Sequence, residues 1–211
     1  MRKLLLLSVL VSALVSCESS EERTQRFFNL GNRALNDGNN LQAIEFYNQA
    51  LKESPNYAPA LNNRGVARIE SDHPYEAILD YNKAIGLDPD YIDALFNRAI
   101  AYEEIGQFSN ALRDVQFIQT LKKDSAYVYF YEGLLQTKLR NYDLALSRFN
   151  VADSLVPSNP ETIINKATIF YFQEKYDSAK ALVNTVLGVA PVTVLLVIEL
   201  VKSPIFIEVG S

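Results

Sequence analysis

The sequence predicts an all-α protein, an α-solenoid built from five helix-turn-helix repeats, and three columns of residues predict it. Alanine recurs at Ala43, Ala77, Ala111, Ala145 and Ala179, each 34 residues from the last. A small residue keeps the same period at Gly31, Gly65, Ala99, Gly133 and Ala167, and an aromatic or branched one at Tyr47, Tyr81, Val115, Phe149 and Val183. A fixed period of a few tens of residues marks stacked units, each too small to bury a core by itself. The units run over 24–57, 58–91, 92–125, 126–159 and 160–193.

Each unit opens with a helix A. In Phe27-Phe28-Asn29-Leu30-Gly31 and its copies the apolar residues fall three and four apart, on one helical face, and the glycine or alanine admits a second helix at close range. A turn follows, at Asp37-Gly38-Asn39-Asn40, Ser71-Asp72-His73-Pro74, Ile105-Gly106-Gln107-Phe108 and Arg140-Asn141-Tyr142, where glycine, asparagine or proline is easily accommodated. Helix B places Ala43, Tyr47 and Ala50 on the face that meets helix A. It ends before Pro55, Pro89, Pro157 or Pro191, because proline lacks an amide donor and disfavours helix in the residue before it. In the third unit Lys123 replaces that proline and Asp124-Ser125 supplies the break. Ile118 stands there in a column of alanines, which predicts a slightly opened packing angle.

These positions resemble the tetratricopeptide repeat, and the resemblance covers about 24–193. It implies a right-handed α-solenoid whose A helices line a concave side, where members of that family take an extended peptide or a partner helix. The sixth position of each unit holds Asn29, Asn63, Asn97, Tyr131 and Asn165. A side-chain amide offers both donors and an acceptor, so such a ladder is suited to gripping a peptide main chain. The alternative is that asparagine is simply common at this position in the family. Beside the ladder lie Phe28, Phe96, Tyr127, Phe130, Tyr131 and Tyr171, either as pockets for apolar side chains or as packing between repeats. The expected partner-binding set is thus Phe28, Asn29, Asn63, Phe96, Asn97, Tyr127, Phe130, Tyr131 and Asn165. Repeats of the family that hold the carboxylate end of chaperone tails use lysine and arginine at inner positions. Here Phe28, Asp93 and Asn97 stand there, although Asn32 and Asn63 match, so co-chaperone activity of that kind is not expected.

Residues 1–16 pair a basic start, Arg2-Lys3, with an apolar run of about a dozen residues, short of the roughly 20 needed to span a bilayer. This reads as a signal peptide. Leu14-Val15-Ser16-Cys17 resembles the lipobox of bacterial lipoproteins, which implies acylation of Cys17 and cleavage before it; the alternative is an ordinary signal peptide with an incidental cysteine. Stable attachment then rests on several acyl chains, each methylene adding about 0.8 kcal/mol, and places the chain in the bacterial envelope, at the periplasmic face of the outer membrane or at the cell surface. Residues 17–23 read as an acidic flexible tether, of a kind that also resembles the surface-export signal of Bacteroidetes lipoproteins.

Charge and composition exclude much chemistry. The net charge is -5, or -7 without residues 1–16, with no basic stripe of the kind that binds nucleic acid. One histidine and one cysteine assemble no nucleophilic or metal-binding set, and there is no phosphate-cradling loop. His73 reads as a solvated turn residue. The expectation is a non-enzymatic adaptor with protein or peptide partners, held to the membrane by lipid, with no cofactor, metal, nucleic acid or small-molecule substrate. The rivals are a stable subunit of an envelope assembly machine, of the outer-membrane insertion or pilus biogenesis type, and an accessory domain of an enzyme. The tail over 194–211 continues the apolar run VTVLLVIELV of 192–201; it is expected to cap the last repeat, to be a partner-binding or strand-like segment, or to be the end of a truncated or frame-shifted gene.

Overall fold

The computed structural model describes residues 18–187. The signal peptide, Cys17 and the tail over 194–211 lie outside the described residues. Those described form ten helices and no strand: α1 (Ser20–Asn36), α2 (Asn40–Glu53), α3 (Ala58–Ile69), α4 (Pro74–Leu87), α5 (Ile92–Glu104), α6 (Phe108–Leu121), α7 (Ala126–Lys138), α8 (Tyr142–Leu155), α9 (Pro160–Phe172) and α10 (Tyr176–Leu187). Odd-numbered helices are the A helices and even-numbered ones the B helices of successive repeats.

Every turn from A to B closes in the same way. The amide five residues beyond a last-turn carbonyl returns to it, as in Asn39 to Ala34 (2.8 Å), His73 to Arg68 (2.9 Å), Gln107 to Tyr102 (2.7 Å), Asn141 to Gln136 (2.9 Å) and Lys175 to Phe170 (2.9 Å). This six-to-one bond needs the residue before that amide in the left-handed region, and Gly38, Asp72, Gly106, Arg140 and Glu174 all have φ between 59° and 74°. Only two of the five are glycine. The others accept a penalty of about 1–2 kcal/mol, which tertiary packing of the two helices overrides.

The described residues fall into two compact units. In the first, through Ala101, α1 packs on α2, α2 on α3 and α3 on α4, around Ala43, Tyr47, Ala50, Leu61, Ala67 and Ala84. In the second, from Tyr102, α6 packs on α7, α7 on α8, α8 on α9 and α9 on α10, and Phe149 and Ile169 are buried with Phe130 and Leu134 against them.

Helix spacing inside a repeat is set by contact between glycine and an aromatic ring. A Cβ added at Gly31 would lie 2.5 Å from the Tyr47 ring, one at Gly65 2.5 Å from Tyr81, and one at Gly133 2.6 Å from Phe149. Repeats 3 and 5 carry alanine instead, Ala99 and Ala167, and there the residue sixteen positions on is the smaller Val115 or Val183. In the sequence, the larger residue in one column goes with a smaller one in the other.

A second device joins A to B through buried charge. Asp80 on α4 is 3% exposed and takes Arg64 of α3 in a fork, Nε to Oδ2 at 2.9 Å and Nη2 to Oδ1 at 2.5 Å, with Arg68 Nη1 on Oδ2 at 2.6 Å. Sixty-eight residues on, the same two positions carry opposite signs. Glu132 of α7, fully buried, faces Arg148 of α8, whose Nε lies 2.8 Å from Oε2 in a charge contact without hydrogen-bond alignment. Gln116 and Gln119 of α6 donate to the same carboxylate at 3.2 and 2.5 Å. Burying an ion pair adds little net stability, but leaving one member alone is expensive.

One expectation is corrected. Residues 17–23 were expected to be a flexible tether, yet α1 begins at Ser20. Ser19 Oγ accepts the amide of Glu22 while the Glu22 carboxylate accepts the amide of Ser19, a complete capping box. Arg23 donates to Glu53 at 2.7 and 2.9 Å and to the Glu18 carbonyl, and Arg26 grips the Glu18 carboxylate at 2.8 and 3.0 Å. These arginine hydrogen bonds hold both Glu18 and Glu53 below the usual carboxylate range. The acidic run is therefore neutralised locally and can continue the helix.

Two sets of variants test these devices. Gly65→Ala is expected to lower stability by about 1–3 kcal/mol through overpacking, and adding Tyr81→Val, which copies the alanine and valine of repeat 5, to recover most of that in chemical denaturation. Reversing either Glu132→Arg or Arg148→Glu alone is expected to destabilise by on the order of 3 kcal/mol, whereas the double reversal, copying repeat 2, returns near the parent. A double variant as unstable as the sum of its parts would refute the pairing.

Candidate protein-interaction surface

Five of the expected residues lie in the first unit and four in the second. In the first, α1, α3 and α5 place amides where they meet one another. Asn97 Nδ2 donates to Asn62 Oδ1 (3.0 Å), Asn62 Nδ2 to Asn63 Oδ1 (3.0 Å), and Asn63 Nδ2 to Asn32 Oδ1 (2.8 Å), which also accepts the Tyr47 hydroxyl (2.8 Å). Burial pushes the Tyr47 phenol up to about 12, with the hydrogen bond from Asn63 pulling the other way. The relay ends at Asn32 Nδ2 and Asn97 Oδ1, so Asn62 and Asn63 have both ends of their amides engaged. Asn29 is exposed and accepts from Gln25 of its own helix at 2.9 Å. Phe28 is half-buried, edge-on to Tyr57 at 5.2 Å and tilted over Tyr47 at 6.0 Å. Phe96 is half-buried on α5.

In the second unit Tyr131 takes the sixth position and is buried, its hydroxyl donating to the Glu103 carboxylate. Burial first, and then that carboxylate, raise its phenol far above the ordinary tyrosine range. Lys138 stands 3.9 Å from the other Glu103 oxygen. Tyr131 thus serves as a support, because Tyr127, 58% exposed, stacks on it at 6.4 Å and 16°. Phe130 leans on Phe149 at 5.6 Å. Tyr127 and Phe130 wall a cleft of about 180 Å³ with Ala152, Val156, Glu161 and Thr162. Asn165 does not join any ladder: its Nδ2 returns to the Glu161 carbonyl at 2.8 Å, one turn back on α9.

Of the expected residues, Tyr127 and Phe130 line this cleft, whereas Asn62, Val156, Glu161 and Thr162 lie outside the expected set. Asn62 was missed although it left a trace, being the one polar residue in the column Phe28, Asn62, Phe96, Phe130, Ile164. Val156, Glu161 and Thr162 left none, because they come from the end of one repeat and the start of the next. His73 is exposed in its turn, with Nδ1 2.6 Å from the Ser71 carbonyl.

Comparison with known proteins agrees on the repeats. Residues 24–57 match the model described as tetratricopeptide repeat and residues 75–106 the model described as TPR repeat. No curated protein matches the chain. Among solved structures, MamA from Desulfovibrio magneticus is similar at 16% identity and TM-score 0.75, over 79% of this chain and 94% of that one. A structure described as YrrB, a TPR protein with an unusual peptide-binding site, is similar at 19% identity and TM-score 0.71, over 84% and 91%. PilF of Pseudomonas aeruginosa follows at 22% and 0.67, over 78% and 75%. At these identities the likeness establishes the fold: an all-α assembly of tetratricopeptide repeats.

The amide relay has a direct test. Asn62→Leu restores the apolar column but leaves Asn97 Nδ2 and Asn63 Oδ1 without partners, so a loss of about 1–3 kcal/mol is expected in urea denaturation. A gain in stability would mean that the column, and not the relay, governs this position.

Proposed function

We propose that this chain is a non-enzymatic scaffold that holds partner proteins or peptides along its A helices, tethered to the bacterial envelope by acyl groups on Cys17. The observation that carries the first half is the cleft in the second unit. Its aromatic walls are fixed from behind, Tyr127 by Tyr131 and Phe130 by Phe149, so binding there orders little that is not already ordered. Most of the amides expected to grip a peptide main chain are engaged by their own neighbours, which leaves recognition to side chains. Fold-level likeness to a protein described as having a peptide-binding site supports this reading by analogy only. The anchor rests on the LVSC sequence before the single cysteine.

The experiment is capture from detergent-solubilised envelopes by the full chain, compared with a variant carrying Phe96→Ala, Asn97→Ala and Tyr127→Ala whose helix content and melting are checked first. Loss of about tenfold or more of bound partner is expected; unchanged capture would overturn the scaffold reading at these residues. Partners that survive dilution and size-exclusion would mark a permanent assembly subunit, and partners that dissociate an adaptor. Labelling with radioactive palmitate is expected for the parent and absent for Cys17→Ser.

A further inference from the structure

We propose that the cleft between α7, the end of α8 and the first turn of α9 is an anchor subsite that accepts one bulky apolar side chain of a partner segment, flanked there by lysine or arginine. This rests on the peptide-binding reading above and adds which chemistry the partner carries.

Size comes first. Drug-sized ligands occupy pockets of about 300–1,000 Å³, whereas a cavity of about 150 Å³ lined by apolar groups accommodates benzene. At about 180 Å³ the cleft fits one side chain of leucine or phenyl size. Its walls suit such a group: Tyr127 and Val156 are 58% and 50% exposed, and Phe130 and Ala152 close the apolar lining. Two large apolar side chains this exposed, facing one small cleft, lose contact with water only when something fills it.

Charge selects the flank. Glu161 is the only ionisable carboxylate on the lining, it is exposed, and it makes no ion pair among the described residues. No lysine or arginine lines the cleft. An anionic flank has no seat at the helix end either, because Asn159 Oδ1 already accepts the amides of Glu161 and Thr162, at 2.9 and 3.2 Å. Glu103, which accepts the hydroxyl of the Tyr131 behind Tyr127, is already engaged there and faced by Lys138. A cation therefore gains at the rim and an anion loses.

Two other hollows among the described residues carry less. The one beneath α9 is crossed by the Lys166 and Asp153 pair at 3.5 Å and edged by two prolines, and the one at the first two A-to-B turns has a single large apolar wall, Leu41.

The test uses a random dodecapeptide display library selected on the immobilised full chain, followed by titration of the best labelled peptide. Sequences enriched in leucine, isoleucine, methionine or phenylalanine adjacent to lysine or arginine are expected. Val156→Arg is expected to weaken that peptide by about tenfold or more, and Glu161→Lys to turn the selected flank from basic to acidic. Both side chains are exposed, so both variants are expected to fold, although Glu161→Lys reverses a favourable charge in the first turn of α9 and lowers stability by about 0.3–1 kcal/mol; melting of both is checked before titration. Enrichment without the apolar and basic pair, or a pair indifferent to both substitutions, would overturn the subsite. If the Phe96, Asn97 and Tyr127 variant still loses envelope partners while these two do not, the scaffold stands and only the subsite falls. If none of the variants changes binding, both fall.

Discussion

Contact between a missing side chain and an aromatic ring governs the spacing of the helix pairs in repeats 1, 2 and 4. With hydrogen at Gly31, Gly65 and Gly133, the rings of Tyr47, Tyr81 and Phe149 lie closer to the A helix backbone than any Cβ would permit. The same helix pairs carry the Arg64 and Asp80 fork and the Glu132 and Arg148 contact. Interiors packed to this density do not absorb an added methyl by small adjustments everywhere. In the sequence of repeats 3 and 5 alanine takes the glycine position and valine the ring position, so the two columns change together.

Polar groups buried at these interfaces contribute specificity more than net stability. Asp80 and Glu132 are both sequestered from water, and each has its oxygens met by charged or amide donors. Because the sign is reversed between the second and fourth repeats, α3 paired with α8, or α7 with α4, would bury two like charges. Repeated sequences are prone to pairing errors between equivalent elements, and a reversal of sign penalises this one directly.

What the sequence made legible follows from locality. Period, turn positions and core columns depend on residues within one repeat, so Ala43, Tyr47 and Gly31 announced their roles. The turn residue itself was less legible: Asp72, Arg140 and Glu174 occupy a left-handed position that composition assigns to glycine, because the six-to-one bond and the packed helices over-determine it. Glu18 to Arg23 looks like a tether when its charges are counted singly; folded, Glu18 and Glu53 meet Arg26 and Arg23, and Glu22 accepts the amide of the N-cap Ser19. Amide partners were illegible for a different reason. Whether Asn63 reaches a ligand or Asn32 depends on the distance between helices of adjacent repeats, which no residue of either repeat specifies alone.

That last point bears on how the A helices recognise anything. An inner row of unpartnered amides would bind any extended main chain and discriminate little, since backbone groups are the same in every peptide. Here the central amides of the first unit satisfy each other, stiffening three neighbouring helices. In the second unit the column breaks to tyrosine, and Tyr131 turns inward to support a neighbour instead of facing outward. Both departures move the surface away from main-chain gripping and toward shape and charge around an apolar anchor. Discrimination between partners then comes from a few fixed side chains, where one wrong flank leaves a carboxylate or a hydrophobic wall uncompensated.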